Sequence, residues 1–214
     1  METLKTSLLT IHIISGTLAL IAGTIAAFAR KRRGLHSTLG TLFAKTMYAV
    51  GFTGLPMAFF MHSYFLLGLS VFTLFMVYTG SRAFAGIKND NRLILSIIGF
   101  IAALSLIAIG VLALRNSNMM GIASLVFGGI LFSMSLREWA TGRGKIAHNP
   151  LVVHINHMGG SLIAAYTAFF TIGAQRMFDA MSLDVSQISI VFWMLPTIVG
   201  SIFLTLANLR IRKP

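Results

Sequence analysis

Residues 6–34 read TSLLTIHIISGTLALIAGTIAAFARKRRG. Residues 6–29 carry no Asp, Glu, Lys or Arg, and Arg30, Lys31, Arg32 and Arg33 close the run. A helix needs about 20 apolar residues to cross a hydrocarbon layer, so this stretch is long enough to span a membrane. Ala27-Phe28-Ala29 has the form of an A-x-A cleavage site. The apolar run is nevertheless too long for the core of a secretory signal, and its charges follow it rather than precede it. That order is expected of an uncleaved anchor with its N-terminus outside.

The same texture extends through the chain. Of 214 residues, 56% are hydrophobic and 10% charged, where soluble domains carry roughly 25% charge. Further apolar runs cover residues 37–61, 64–87, 93–114, 119–136, 151–174 and 188–209. Lipid offers no partner to an open backbone, and the two-residue alternation of barrel strands is absent, so every span is expected to be a helix. The predicted fold is an all-α, polytopic transmembrane bundle of seven spans forming one domain over residues 1–214. The fifth run is the shortest, and without it the count would be six. No soluble catalytic domain fits. Pro56 and Pro196 are expected to kink the second and seventh helices.

A net charge of +12 could suit nucleic acid, but the charges sit between the apolar runs. Thirteen of the seventeen basic residues fall at alternate connections: Arg30 to Arg33, then Arg82, Lys88 and Arg92, then Arg137, Arg143 and Lys145, then Arg210, Arg212 and Lys213. Lys5, Arg115 and Arg176 fall on the other side. The positive-inside rule then places the C-terminus in the cytoplasm, and a six-span count would break the alternation. The expected partner is the lipid bilayer, with no nucleic acid. Trp139 reads as an interfacial anchor.

With no cysteine, disulfides, thiolate metal sites and covalent C-x-x-C-H haem attachment are excluded, which leaves six histidines as the strong metal ligands. At 100° per residue, the first span aligns His12, Gly16, Ala19, Gly23 and Ala26. The second aligns His36, Gly40, Ala44, Met47, Gly51, Gly54 and Ala58, and the sixth His154, His157, Met158, Ser161, Ala165 and Ala168. Small residues let helices approach closely, which by itself would explain the stripes. Histidines heading them suggest more. A haem b needs a gap between helices and imidazoles at matching depth, so His36 could pair with His154 or His157 on the cytoplasmic side, and His12 with His62 outside. His62 and His148 read most simply as interfacial side chains.

A zinc site from His36, His154 and His157 is the alternative metal reading, since the i, i+3 spacing is suitable. The acids Glu2, Asp90, Glu138, Asp179 and Asp184 all fall in loops or at helix ends, so no intramembrane base or proton relay is expected. For the same reason Lys45 lacks a counter-ion for Schiff-base chemistry. It lies roughly opposite the His36 stripe and is expected to snorkel, with anion or propionate binding as a lesser role.

The stretches around His12 (HIISGTLALIAG), His36 (GLHSTLG) and His154 (HINHMGGSLIAAYTAF) resemble bacterial multi-pass membrane proteins grouped as domain of unknown function 2306. The resemblance covers most of the chain and implies a multi-pass fold in the bacterial inner membrane, without an activity. The histidines that match its pattern are His12, His36 and His154, while His157 stands where a basic or polar residue is commoner. His12 and His154, near opposite faces, fit two separate sites better than one. The expected function is b-type haem binding or transmembrane electron transfer through His12, His36 and His154. A non-catalytic scaffold or assembly factor with structural histidines, recovered with membrane partner subunits or a second copy of itself, is the alternative, and a small-molecule transporter comes third.

Overall fold

The computed structural model describes residues 2–31, 34–173, 178, 181 and 189–212. Arg32, Arg33, Arg176, Asp179, Asp184 and Lys213, and most of the connection 174–188, lie outside the described residues. Seven α-helices occupy the described chain: α1 Glu2–Phe28, α2 Leu35–Phe60, α3 Tyr64–Ser81, α4 Asn89–Arg115, α5 Met120–Gly142, α6 Pro150–Ala168 and α7 Ser189–Arg212. A π-helical turn, Phe169–Gly173, extends α6.

Five of the helices are long and apolar enough to cross a membrane: α1, α3, α4, α5 and, within α7, Met194–Ile211. The other two, α2 and α6, have the length at 26 and 19 residues, but they carry Lys45 in one and His154, Asn156 and His157 in the other. The fifth helix differs from its expected form. It does not stop near residue 136 but runs on to Gly142, 23 residues in all, through Arg137, Glu138 and Trp139. The third is shorter than expected, ending at Ser81.

Local signals set several ends. Asn149 accepts a hydrogen bond from the Val152 N–H at 3.2 Å with Pro150 in the first turn, and Ser63 does the same for the Leu66 N–H at 3.3 Å. His62, at φ 51°, sits in the left-handed region just past α2, and its exposed ring belongs to that turn.

The helices are packed through small residues. In α1, Ala19, Gly23 and Ala26 of the expected stripe are buried, with Ala22 beside them, and α2 buries Ala44, Met47, Gly51 and Ala58 of its own stripe, while Gly16, Gly40 and Gly54 are half-buried. Large side chains such as Ile14, Ile21, Ile97, Ile101, Ile202 and Phe203 point outward instead. That inversion suits a lipid solvent, where apolar surface gains nothing by leaving the exterior and backbone proximity decides packing. Helix α3 is the central strut, with Phe72, Phe75, Met76 and Val77 all nearly inaccessible. Around it sit the α1–α2 hairpin, the α4–α5 hairpin and α6, and α7 packs against α6. Pro56 and Pro196 lie within unbroken helices.

Candidate functional site

The loop and helix ends that gather most of the basic residues also gather four histidines. His36 opens α2, and its Nδ1–H donates to the Ala26 carbonyl of α1 at 2.8 Å. His154, one turn into α6, donates from Nδ1 to the Gly80 carbonyl of α3 at 3.0 Å. A carbonyl can only accept, so each ring holds its proton on Nδ1 and keeps the Nε2 lone pair in the neutral state. The two ring centres are 6.2 Å apart with planes at 74°. Four helices, α1, α2, α3 and α6, therefore orient this pair, and the tautomer is the one a metal-ligating histidine adopts when a carbonyl fixes its other nitrogen.

The surroundings are cationic and partly open. Lys31 donates to the Ala26 carbonyl at 3.1 Å and to that of Ala27, capping α1, and it acts electrostatically on His154. Partial burial pulls its ammonium pKa below the ordinary lysine value. Phe84 lies 5.4 Å from the His154 ring. A Cβ added at Gly40, one turn beyond His36, would meet nothing within 4 Å, so space is open on that stripe.

The other histidines are placed apart. His12 donates from Nδ1 to the Thr53 hydroxyl at 2.9 Å, because that hydroxyl already donates to the Ala49 carbonyl at 2.7 Å. Thr53 precedes His62 by nine residues, roughly 13 Å along a helix at 1.5 Å per residue, so His12 and His62 do not share a level. His157 is buried against Phe75, with ring centres 6.1 Å apart. Among the described residues no group of three or more His, Cys, Asp or Glu could hold a metal ion, so His36, His154 and His157 do not assemble the expected zinc site. Three residues apart on α6, His154 and His157 look toward different neighbours: Gly80 and His36 for the first, Phe75 for the second.

Two expectations are corrected here. His148 is not a bland interfacial side chain: its Nε2–H donates to the Ala83 carbonyl at 2.9 Å, and its Nδ1 accepts from Arg92 Nη2 at 3.3 Å. Both nitrogens are occupied, so it has none to offer a metal. Nor do all acids lie in solvated positions. Glu138 is 2% exposed inside α5 and forms an ion pair with Arg92 of α4, itself 3% exposed. Arg92 also donates from Nε to the Ile87 carbonyl at 3.2 Å. The carboxylate is thus buried but neutralised by its partner, and it is not a free base. Lys45 is exposed, in keeping with a snorkelling side chain.

Compared with protein-family models, with curated proteins and with solved structures, the chain finds no match.

Proposed function

We propose that this is a seven-span protein of the bacterial inner membrane, N-terminus outside, that holds a b-type haem between His36 and His154 near the cytoplasmic face. The carrying observation is the imidazole pair. The two ring centres lie 6.2 Å apart, and both Nδ1 atoms are already committed to carbonyls, so the Nε2 atoms of His36 and His154 are the ones that would hold the group. A bare zinc ion needs three or four protein ligands, whereas haem iron needs only one or two beyond its macrocycle. A two-histidine site therefore favours haem. Bound there, the group would supply a one-electron couple. The chain's own residues fix the ligand tautomers, leave room beside Gly40 and offer Lys31 to an anionic substituent.

A scaffold reading is favoured by a different feature of the same bonds. His12 joins α1 to α2, His36 joins α2 to α1, and His154 joins α6 to α3. One set of variants separates the two. Protein purified from haem-replete cells should show a Soret band that shifts with dithionite. His36→Ala and His154→Ala should each abolish or convert it, and His148→Ala should keep the band while lowering the melting temperature. If the histidines only tie helices together, each substitution should cost the roughly 0.6–2 kcal/mol of an intramembrane hydrogen bond without any spectral change. Colourless wild-type protein would defeat the haem assignment.

Orientation has its own test, helped by the absence of native cysteine. Ser63→Cys and Asn118→Cys should react with an impermeant maleimide added to intact cells, and Asn89→Cys and Gly144→Cys should not. Labelling at Asn89 or Gly144 from outside would reverse the topology.

A further inference from the structure

A cavity of about 250 Å³ lies between α3, α5, α6 and α7, and neither His36 nor His154 lines it. Its lining is chemically divided along the helix register. Phe72, Phe127 and Ile163 line it at mid-bundle, and Arg137, Asn156 and His157 line it toward the basic end. His157 is 5% exposed, and its Nδ1 has no hydrogen-bond partner among the described residues. A buried imidazole nitrogen left unpaired carries a desolvation penalty that a ligand atom would remove.

Arg137 and Glu138 both line this cavity, and Arg92 as well as Arg137 acts electrostatically on His157. Arg92 and Glu138 compensate each other, whereas Arg137 forms no ion pair among the described residues and lies close enough to act electrostatically on His157. The cavity is smaller than the roughly 300–1,000 Å³ of drug-sized sites, but a second space adjoins it across shared lining residues. Ile130, Thr197 and Ser201 also line a second, open space of about 520 Å³ between α5 and α7, whose wall continues through Val126, Ile198 and Ile202. A cationic recess thus runs into an apolar groove on the lipid-facing side. From Arg137 to Val126 is eleven residues of α5, about 16 Å at 1.5 Å per residue, the reach of a medium-length acyl chain.

We infer that the α5–α7 cleft binds a free fatty acid, its carboxylate against Arg137 and His157 and its chain along the Ile130, Ile198 and Ile202 groove. Arg137 supplies a donor fork suited to a carboxylate, and a neutral His157 can donate from Nδ1. The chain needs no deep enclosed tunnel, because lipid bounds the open side of the groove. This site is independent of the haem assignment.

The test uses the full chain in phosphatidylcholine nanodiscs with radiolabelled dodecanoate as the probe, against empty nanodiscs. Saturable binding of one dodecanoate per chain is expected. Arg137→Gln should weaken it about tenfold or more, as expected for loss of a charged hydrogen bond. Ser201→Trp, which fills the junction of recess and groove, should weaken it comparably. Because a variant could fail to fold, wild-type competition carries the same decision: unlabelled dodecanoate should displace the probe at least about tenfold better than dodecanol, which lacks the charge, or butyrate, which lacks the chain. Binding no greater than to empty nanodiscs, equal displacement by dodecanol or butyrate, or displacement by added phosphatidylglycerol at matched concentration would each overturn the assignment.

Discussion

Glu138→Ala should be among the most damaging single substitutions in the chain, lowering stability by about 3–5 kcal/mol, the usual cost of removing one partner from a buried ion pair. The size follows from what remains. Arg92 is 3% exposed, and the guanidinium cannot shed its proton, so the variant must either keep an uncompensated charge inside the bundle or pull the start of α4 toward solvent. The hydrogen bonds from Arg92 to Ile87 and His148 would persist, but neither supplies negative charge. The double variant Arg92→Met, Glu138→Leu removes both charges and fills similar volume, so it should regain most of the loss. Unfolding in mixed maltoside and SDS micelles measures both proteins. A single variant within about 1 kcal/mol of wild type, well below the buried-pair range, would mean that the pair is solvated in the membrane-embedded protein.

The second large effect is expected where α4 crosses α5. A Cβ at Gly121 would come within 2.5 Å of the Gly110 carbonyl oxygen and 3.0 Å of the Leu114 nitrogen, and a Cβ at Gly110 would lie 2.9 Å from the Gly121 oxygen. Both obstacles are backbone, so no side chain can swing aside, and the helices must separate along their length. Gly121→Ala should therefore cost at least the roughly 1–3 kcal/mol of an overpacked core, and Gly121→Leu more. Gly129, two turns further along α5, has nothing within 4 Å of its Cβ position. Gly129→Ala should be neutral or stabilising by up to about 1 kcal/mol through helix propensity. The same unfolding assay on these variants distinguishes close approach from a general intolerance of glycine replacement, since equal losses at positions 121 and 129 would contradict the crossing.

The helices, five of them long and apolar enough to cross a membrane, were legible in the sequence because lipid imposes a local condition: each uncharged run must satisfy its own backbone. The small-residue faces of α1 and α2 were legible for a related reason, since glycine and alanine at helical spacing show where another helix can approach. The end of α5 was not legible. Arg137-Glu138-Trp139 has the composition of a membrane boundary, and the partner that lets Glu138 stay inside the helix is 46 residues away in α4. The one available signal was the isolation of Glu138 among basic neighbours. His157 was undervalued for a geometric reason. It shares a stripe with His154, but a step of three residues turns a side chain by about 60°, enough to send one ring to the α2–α3 side and the other into the interior against Phe75. Whether two imidazoles at matching depth also match in azimuth depends on how α2, α3 and α6 pack, which periodicity within one helix does not contain.

The separation between Arg92 and Glu138 along the chain also has a consequence for biosynthesis. The hairpin's turn lies at residues 116–119, so the paired charges are at its two open ends, and Arg92 leaves the ribosome 46 residues before Glu138. At roughly 5–20 residues per second, that interval lasts about 2–9 s. During it the first arm of the hairpin carries an unpartnered cation, which is held at the aqueous boundary by its long side chain rather than in hydrocarbon. Only when the second arm arrives can that cation be drawn inside, so lateral release of α4 into lipid is expected to wait for α5, and the two should leave the insertion machinery as one unit.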